Sequence, residues 1–168
     1  MLQGVSSLSL VEAPPHLSVP RDYHLITTLE DLALWMEEAR TAGLIAVDTE
    51  TTGLTPAMAD LVGISICVIP GRAAYIPLGH QIGADLFAQP ATEMQEIAQL
   101  KIMDVMAAMR DVLEDPSILK IGHNIKFDLQ FFARYGVQIA PTHDTMLMSY
   151  VLYNSEFSHG LGDLSARL

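Results

Sequence analysis

Val47-Asp-Thr-Glu-Thr-Thr-Gly-Leu54 closes the apolar run Leu44 to Val47 and sets two carboxylates two residues apart where a strand gives way to a turn. Side chains alternate faces along a strand, so Asp48 and Glu50 point the same way at its end. Two like charges held that close resist joint ionisation unless a cation lies between them, and a divalent metal is the simplest such cation. Upstream, Tyr23 to Thr27 alternates like a strand. Thr28-Leu-Glu-Asp31 then opens a helix in capping-box fashion, with Leu29, Leu32, Met36 and Ala39 inward and Gly43 at its end. Downstream, Leu61 to Ile69 puts Val62, Ile64, Ile66 and Val68 on one face and small residues on the other. Pro70-Gly71 turns the chain into a second strand, Ala73 to Ile76, making a β-hairpin.

The second half alternates helix and strand. Thr92 to Glu114 has apolar residues at helical period, with Thr92 and Gln95 as a capping box, and reads as one helix or two. Ile118 to Ile121 reads as a short buried strand, Asn124 to Tyr135 as a helix closed by Gly136, and Thr145 to Tyr153 as an apolar helix capped by Asp144. Another helix begins near Asp163. Sequential strands followed by this alternation predict an α/β fold, a mixed sheet covered by helices.

A second chemical anomaly lies in Gly122-His-Asn-Ile-Lys-Phe-Asp128. Counted from Ile125, the stripe Ile125, Asp128, Leu129 and Phe132 forms one helix face, apolar except for Asp128. A buried ionised carboxylate must be protonated, paired with a basic group or bound to metal. Lys126 lies on the wrong face to be its partner.

These residues carry a resemblance. D-x-E at Asp48 and Glu50, N-x-x-F-D at Asn124 to Asp128, and the stretches KIGHNIKFD and DTMLMSYVL resemble the proofreading 3'-5' exonuclease domain of bacterial DNA polymerase I, of the DEDD group. The similarity runs from about Tyr23 to the C-terminus. It implies a ribonuclease H-like mixed sheet flanked by helices, and removal of nucleotides from the 3' end of single-stranded DNA. It also implies a polymerase domain in the parent chain as partner. Thr51 and Leu54 would contact the terminal nucleotide, with Leu54 wedged against the last base; the simpler roles are shaping the turn before Gly53 for Thr51 and an exposed loop residue for Leu54. Asn124 resembles a residue that approaches the DNA strand, and could also cap the helix it opens. His123 and Phe127 stand where the family more commonly has Gln and Tyr. Met146 aligns with a substrate-contacting position, although a methionine on so apolar a helix is more often core. The third motif, Tyr-x-x-x-Asp, is missing: Tyr150 is followed four residues later by Asn154. His159 and Asp163 have the wrong spacing for the histidine variant and read as a decoy. The domain, 21–168, therefore reads as truncated at its C-terminus, with slow cleavage as the consequence. A silent single-strand-binding module and a ribonuclease of the same superfamily are the competing readings.

Phosphodiester hydrolysis needs a deprotonated water, stabilisation of charge at phosphorus and help for the departing 3'-oxygen. Two divalent ions roughly 3.5 to 4 Å apart supply all three. Carboxylate oxygens suit Mg2+ and Mn2+. Asp48 is expected to bridge both ions, Glu50 to bind the water-activating one and Asp128 to hold the second.

Composition sets the outer bounds. At 168 residues, half of them hydrophobic, the chain suits one domain with a sizeable core. Residues 1–20, with three prolines and no periodicity, read as a flexible lead or linker. Neither a membrane span nor a signal peptide is visible, so the sequence reads as a soluble cytoplasmic protein, bacterial and nucleoid-associated if the resemblance holds. The single Cys67 reads as a buried small hydrophobe. A net charge of -11, with nine Lys and Arg, disfavours non-specific nucleic-acid binding. Bound metal ions would reverse the field where a phosphate sits. No Gly-rich phosphate loop or G-x-S-x-G is present, which disfavours kinases, P-loop enzymes and serine hydrolases.

Overall fold

The computed structural model describes residues 21–80, 98–154 and 156–167; the lead expected over 1–20 and the Thr92–Gln95 capping box lie outside them. Strand β1 (Asp22–Leu25) leads into helix α1 (Leu29–Ala42). Thr28 caps the helix: its Oγ1 accepts from the Asp31 N–H and donates to the Asp31 carboxylate, and Gly43 closes it at φ +68°. Leu29 departs from expectation at 39% exposed. The helix meets the sheet through β2 and β3 in its middle, so the buried stripe starts at Leu32 and is completed by Trp35.

Strands β2 (Leu44–Thr51), β3 (Leu61–Ile69) and β4 (Arg72–Pro77) form the antiparallel meander expected from the hairpin, turned at Gly71 with φ +87°. Helix α2 (Ile102–Leu113) follows. It does not extend back over 98–101, because the Leu100 N–H is spent on the Pro77 carbonyl at the end of β4. Strand β5 (Leu119–Gly122), helix α3 (Lys126–Arg134), strand β6 (Thr142–Asp144), helix α4 (Thr145–Tyr153) and helix α5 (Leu161–Ser165) complete the chain. The three-residue β6 has no sequence signal of its own; it exists because β5 offers it a parallel edge.

Among the described residues the six strands form one mixed sheet in the order β1-β4-β3-β2-β5-β6. The meander is antiparallel, whereas β1 on β4, β5 on β2 and β6 on β5 are parallel. One cluster fills the core: Ile45 and Val47 of β2 and Ile64 and Ile66 of β3 join Leu32 and Met36, Val105 and Met109, and Phe131 and Phe132 from the first three helices. Lys120 of β5 is fully buried, donating from Nζ to the Asp115 carbonyl at 2.7 Å and the Val112 carbonyl at 3.4 Å. A cation at the C-terminal end of α2 is favoured by the helix dipole. Burial pulls its pKa down while the Asp115 charge opposes that shift. No helix among the described residues is long and apolar enough to cross a membrane.

Candidate active site

Strand β5 pairs with β2 only over Leu44, Ile45 and Ala46, so the edge of β2 is open further along, at Thr49. Asp128, in the first turn of α3 and only 3% exposed, comes to that edge. Its Oδ1 accepts the Thr49 backbone N–H at 2.9 Å and the Thr49 hydroxyl at 2.5 Å. The carboxylate thus takes the place a neighbouring strand's carbonyl would fill. Thr49 is buried and lies between Asp48 and Glu50, which are exposed and share the opposite face. The stripe containing Asp128 is inward as expected. Thr49 itself was missed; the only sequence signal was a hydroxyl at a core-facing strand position.

The electrostatics record the convergence. Asp48 has its pKa raised above the ordinary carboxylate value, first because neighbouring protein displaces its hydration, then because the charges of Asp128 and Glu50 oppose its own; His123 acts in the other direction. Asp128 is also raised, by burial, with the Thr49 donors working against that rise and the Asp144 charge adding to it. Carboxylates that strain against one another in this way are relieved by a cation.

The turn that delivers Asp128 is held from a distance. Asn124 sits at φ +58°, outside the helix, and its side chain does not cap α3, contrary to expectation. The capping is done by Asp144 instead. Its carboxylate accepts the N–H groups of Asn124 and Ile125 at 3.0 and 3.1 Å, and those of Met146 and Leu147 at 2.9 and 3.3 Å. One side chain ties the start of α3 to the start of α4. Gly122 is required before this turn, since a Cβ there would lie 2.8 Å from Ile125 Cγ1.

His123 and Thr145 continue the tie. The Thr145 hydroxyl donates to the Gly122 carbonyl, so it accepts from His123 Nδ1–H at 2.9 Å. His123 Nε2 is buried and has no partner among the described residues. It lines a cavity of about 280 Å³ with Asp48, Ser65, Cys67 and Leu161. Cys67 is therefore only partly buried, its Sγ bonded to the Ile69 carbonyl and its pKa raised by burial. Phe127 is partly buried and packs on Phe131 with ring centroids 5.2 Å apart.

The remaining expected residues fall as follows. Thr51 donates its hydroxyl to the Gly53 carbonyl at 2.9 Å, shaping the turn, and Leu54 stands on the loop 91% exposed. Met146 is partly exposed and lines a recess with Tyr150, Phe157 and His159. The apolar α4 is not a core helix: Ser149 is its buried residue, while Leu147, Val151 and Leu152 face outward. His159 is buried, with Nδ1 on the Ser149 hydroxyl at 2.7 Å and Nε2 on the Asn154 carbonyl. Both nitrogens are spent internally and Asp163 is exposed, which fits the decoy reading.

Among the described residues no three His, Cys, Asp or Glu side chains already surround a single ion position. Both bonds to Asp128 fall on Oδ1, leaving Oδ2 outside the Thr49 contacts. With Asp48 and Glu50 this makes an all-oxygen donor set of the kind hard divalent ions take.

The family described as 3'-5' exonuclease matches residues 23–168. The chain belongs to this family. It is 34% identical over 175 residues to DNA polymerase I of Rhizobium leguminosarum, covering 96% of this chain and 17% of that protein. DNA polymerase I of Pseudomonas aeruginosa is 33% identical over 159 residues, covering 93% and 16%. The exonuclease-family chain thus spans about a sixth of the length of these relatives. In fold it is similar to Brucella melitensis NrnC with bound Mg2+, at a TM-score of 0.59 and 24% identity over 89% of this chain and 61% of that one.

Proposed function

We propose that residues 21–168 act as a metal-dependent 3'-5' exonuclease unit of a DNA polymerase I type enzyme, shortening single-stranded DNA from its 3' end. Residues 1–20 are then a linker, and the polymerase domain and the bacterial cytoplasm are the setting. The observation that carries this reading is the pair of bonds from buried Asp128 to Thr49, the residue between Asp48 and Glu50. Asp128, 79 residues further along the chain, meets the strand residue that separates the other two carboxylates.

Asp48, Glu50 and Asp128 would hold Mg2+ or Mn2+, and NrnC, which shares the fold, is a protein described with bound Mg2+. Two such ions, when bound, activate water and steady the leaving oxygen. The chain's own residues then orient the strand. Leu54, exposed on its loop, would press on the terminal base, and Thr51 holds that loop's shape. Asn124, outside the helix, and the neighbouring His123 would approach the substrate strand, and Phe127 and Met146 would offer it apolar surface.

End-labelled single-stranded DNA incubated with Mn2+ tests the proposal. Stepwise shortening from the 3' end is expected in the wild type, with a loss of at least about a thousand-fold in Asp48→Ala and Asp128→Asn while the thermal midpoint is retained. Metal-dependent cleavage surviving in either variant would overturn the site assignment. Binding without shortening would make the chain a silent module, and a preference for RNA of the same sequence would make it a ribonuclease.

A further inference from the structure

Tyr75 of β4 reaches across β3 to the acidic end of β2. The antiparallel register sets Glu50 opposite Gly63, and Tyr75 opposite Ser65. Positions 63 and 65 share one face of β3, and Glu50 is the cross-strand neighbour of position 63 on that face. Gly63 has no side chain, and the phenol occupies the space: a Cβ built there would lie 1.9 Å from the Tyr75 hydroxyl oxygen. Directly opposed residues have Cβ atoms about 4.5–5.5 Å apart. The hydroxyl therefore lies over the β3 position that Glu50 faces, near enough to feel the Glu50 charge. Burial and then the Glu50 charge raise the phenol's pKa, so it remains a hydrogen-bond donor.

The outer side of the phenol is anchored. Its hydroxyl lies 2.7 Å from His80 Nε2. Gln99 clamps the His80 backbone from both sides, accepting its N–H at 2.6 Å and donating to its carbonyl at 2.9 Å. Packing over Gly63 needs only an aromatic ring; a supported hydroxyl beside a carboxylate calls for a further reason. If His80 Nε2–H donates to the phenolic oxygen, the Tyr75 O–H is left to donate inward.

We propose that Tyr75, backed by His80, is a positioning residue that hydrogen-bonds the water or phosphate oxygen presented to Glu50. This rests on the exonuclease reading, yet the contact itself can be tested without metal or substrate. Tyr75→Phe keeps the ring over Gly63 and removes only the hydroxyl. In the full chain it is expected to leave the thermal midpoint nearly unchanged and KM within about two-fold. The single-turnover rate should fall roughly ten-fold, as for one lost hydrogen bond, with a smaller loss in Mn2+ affinity read by electron paramagnetic resonance. His80→Gln, which still has an N–H to donate, should recover most of the rate that His80→Ala loses.

In metal-free protein labelled with 15N-histidine, His80 should carry its proton on Nε2. Glu50→Gln should shift that resonance, and the shift should vanish when Tyr75→Phe is added. No shift in Glu50→Gln would overturn the proposal, as would unchanged rate and Mn2+ affinity in Tyr75→Phe. A wild type that neither binds Mn2+ nor shortens DNA would sink the exonuclease reading of this chain. The metal-free shift alone would then decide whether Tyr75 and Glu50 share a bridging oxygen.

Discussion

Strand β2 and the Gly122–Asp128 turn deliver carboxylates to the same place by opposite means. On β2 the delivery is local: alternation along the strand puts Asp48 and Glu50 on one face, and nothing beyond the strand is needed to aim them. On the turn it is not. Asn124 adopts a left-handed backbone, and Asp144, twenty residues further along, accepts the two N–H groups that start α3. The strand can therefore lose its acids without losing its shape, whereas the turn depends on a partner whose carboxylate is taken up by four backbone N–H groups. Removing a strand acid should cost chemistry; removing the clasp should cost structure first.

The sharpest way to break this contrast is Asp144→Ala. Four backbone donors lose their acceptor, and a loss of about 2–4 kcal/mol is expected in urea unfolding, with cleavage falling alongside it. Asp48→Ala under the same titration should stay within about 0.5 kcal/mol. Equal losses in the two variants would erase the distinction. Next comes Thr49→Val, nearly isosteric, which removes the hydroxyl donor to buried Asp128 and leaves the N–H. A cost of about 1–2 kcal/mol is expected, with the Asp128 pKa rising further, followed by the carboxyl carbon resonance against pH.

Asp48→Asn should reverse the usual sign of a mutation. Because the folded-state pKa of Asp48 is raised, the stability tied to its protonation is present at acid pH and is lost as pH rises through that pKa. At pH 7 the ionised group weakens the metal-free native state. The variant is expected to melt slightly higher at pH 7 without metal, the gain shrinking to nothing as pH falls below the ordinary carboxylate range. Added Mn2+ should stabilise the wild type and not the variant; thermal melts across pH measure both. The smallest effect belongs to Leu54→Ala, where stability is expected to hold within about 0.5 kcal/mol while KM for single-stranded DNA rises.

Much of the frame was legible because it obeys short-range rules. Thr28 and Gly43 bound α1, Gly71 turns the hairpin, and Asp144 caps α4 at the residues their spacing indicates. The apolar pattern of α4 misled for a physical reason. Periodicity shows that a helix has an apolar surface but not what covers it, and Leu147, Val151 and Leu152 face outward. Leu29 and the 98–101 segment failed similarly, one for lack of a neighbour and the other because Pro77 took the N–H a helix would have used.

From the sequence alone came the two acidic motifs, the faces on which Asp48, Glu50 and Asp128 lie, and the mixed α/β architecture, since these follow from periods of two and 3.6 residues and from turn chemistry. Tertiary structure alone decided that Asp128 meets β2 through Thr49, that Asp144 clasps the turn at Asn124, that Lys120 lies buried against the end of α2, and that Tyr75 fills the gap above Gly63. Each of those contacts joins different elements, and which unpaired donor or empty position a side chain meets is set by how the sheet's edges and helices close on one another.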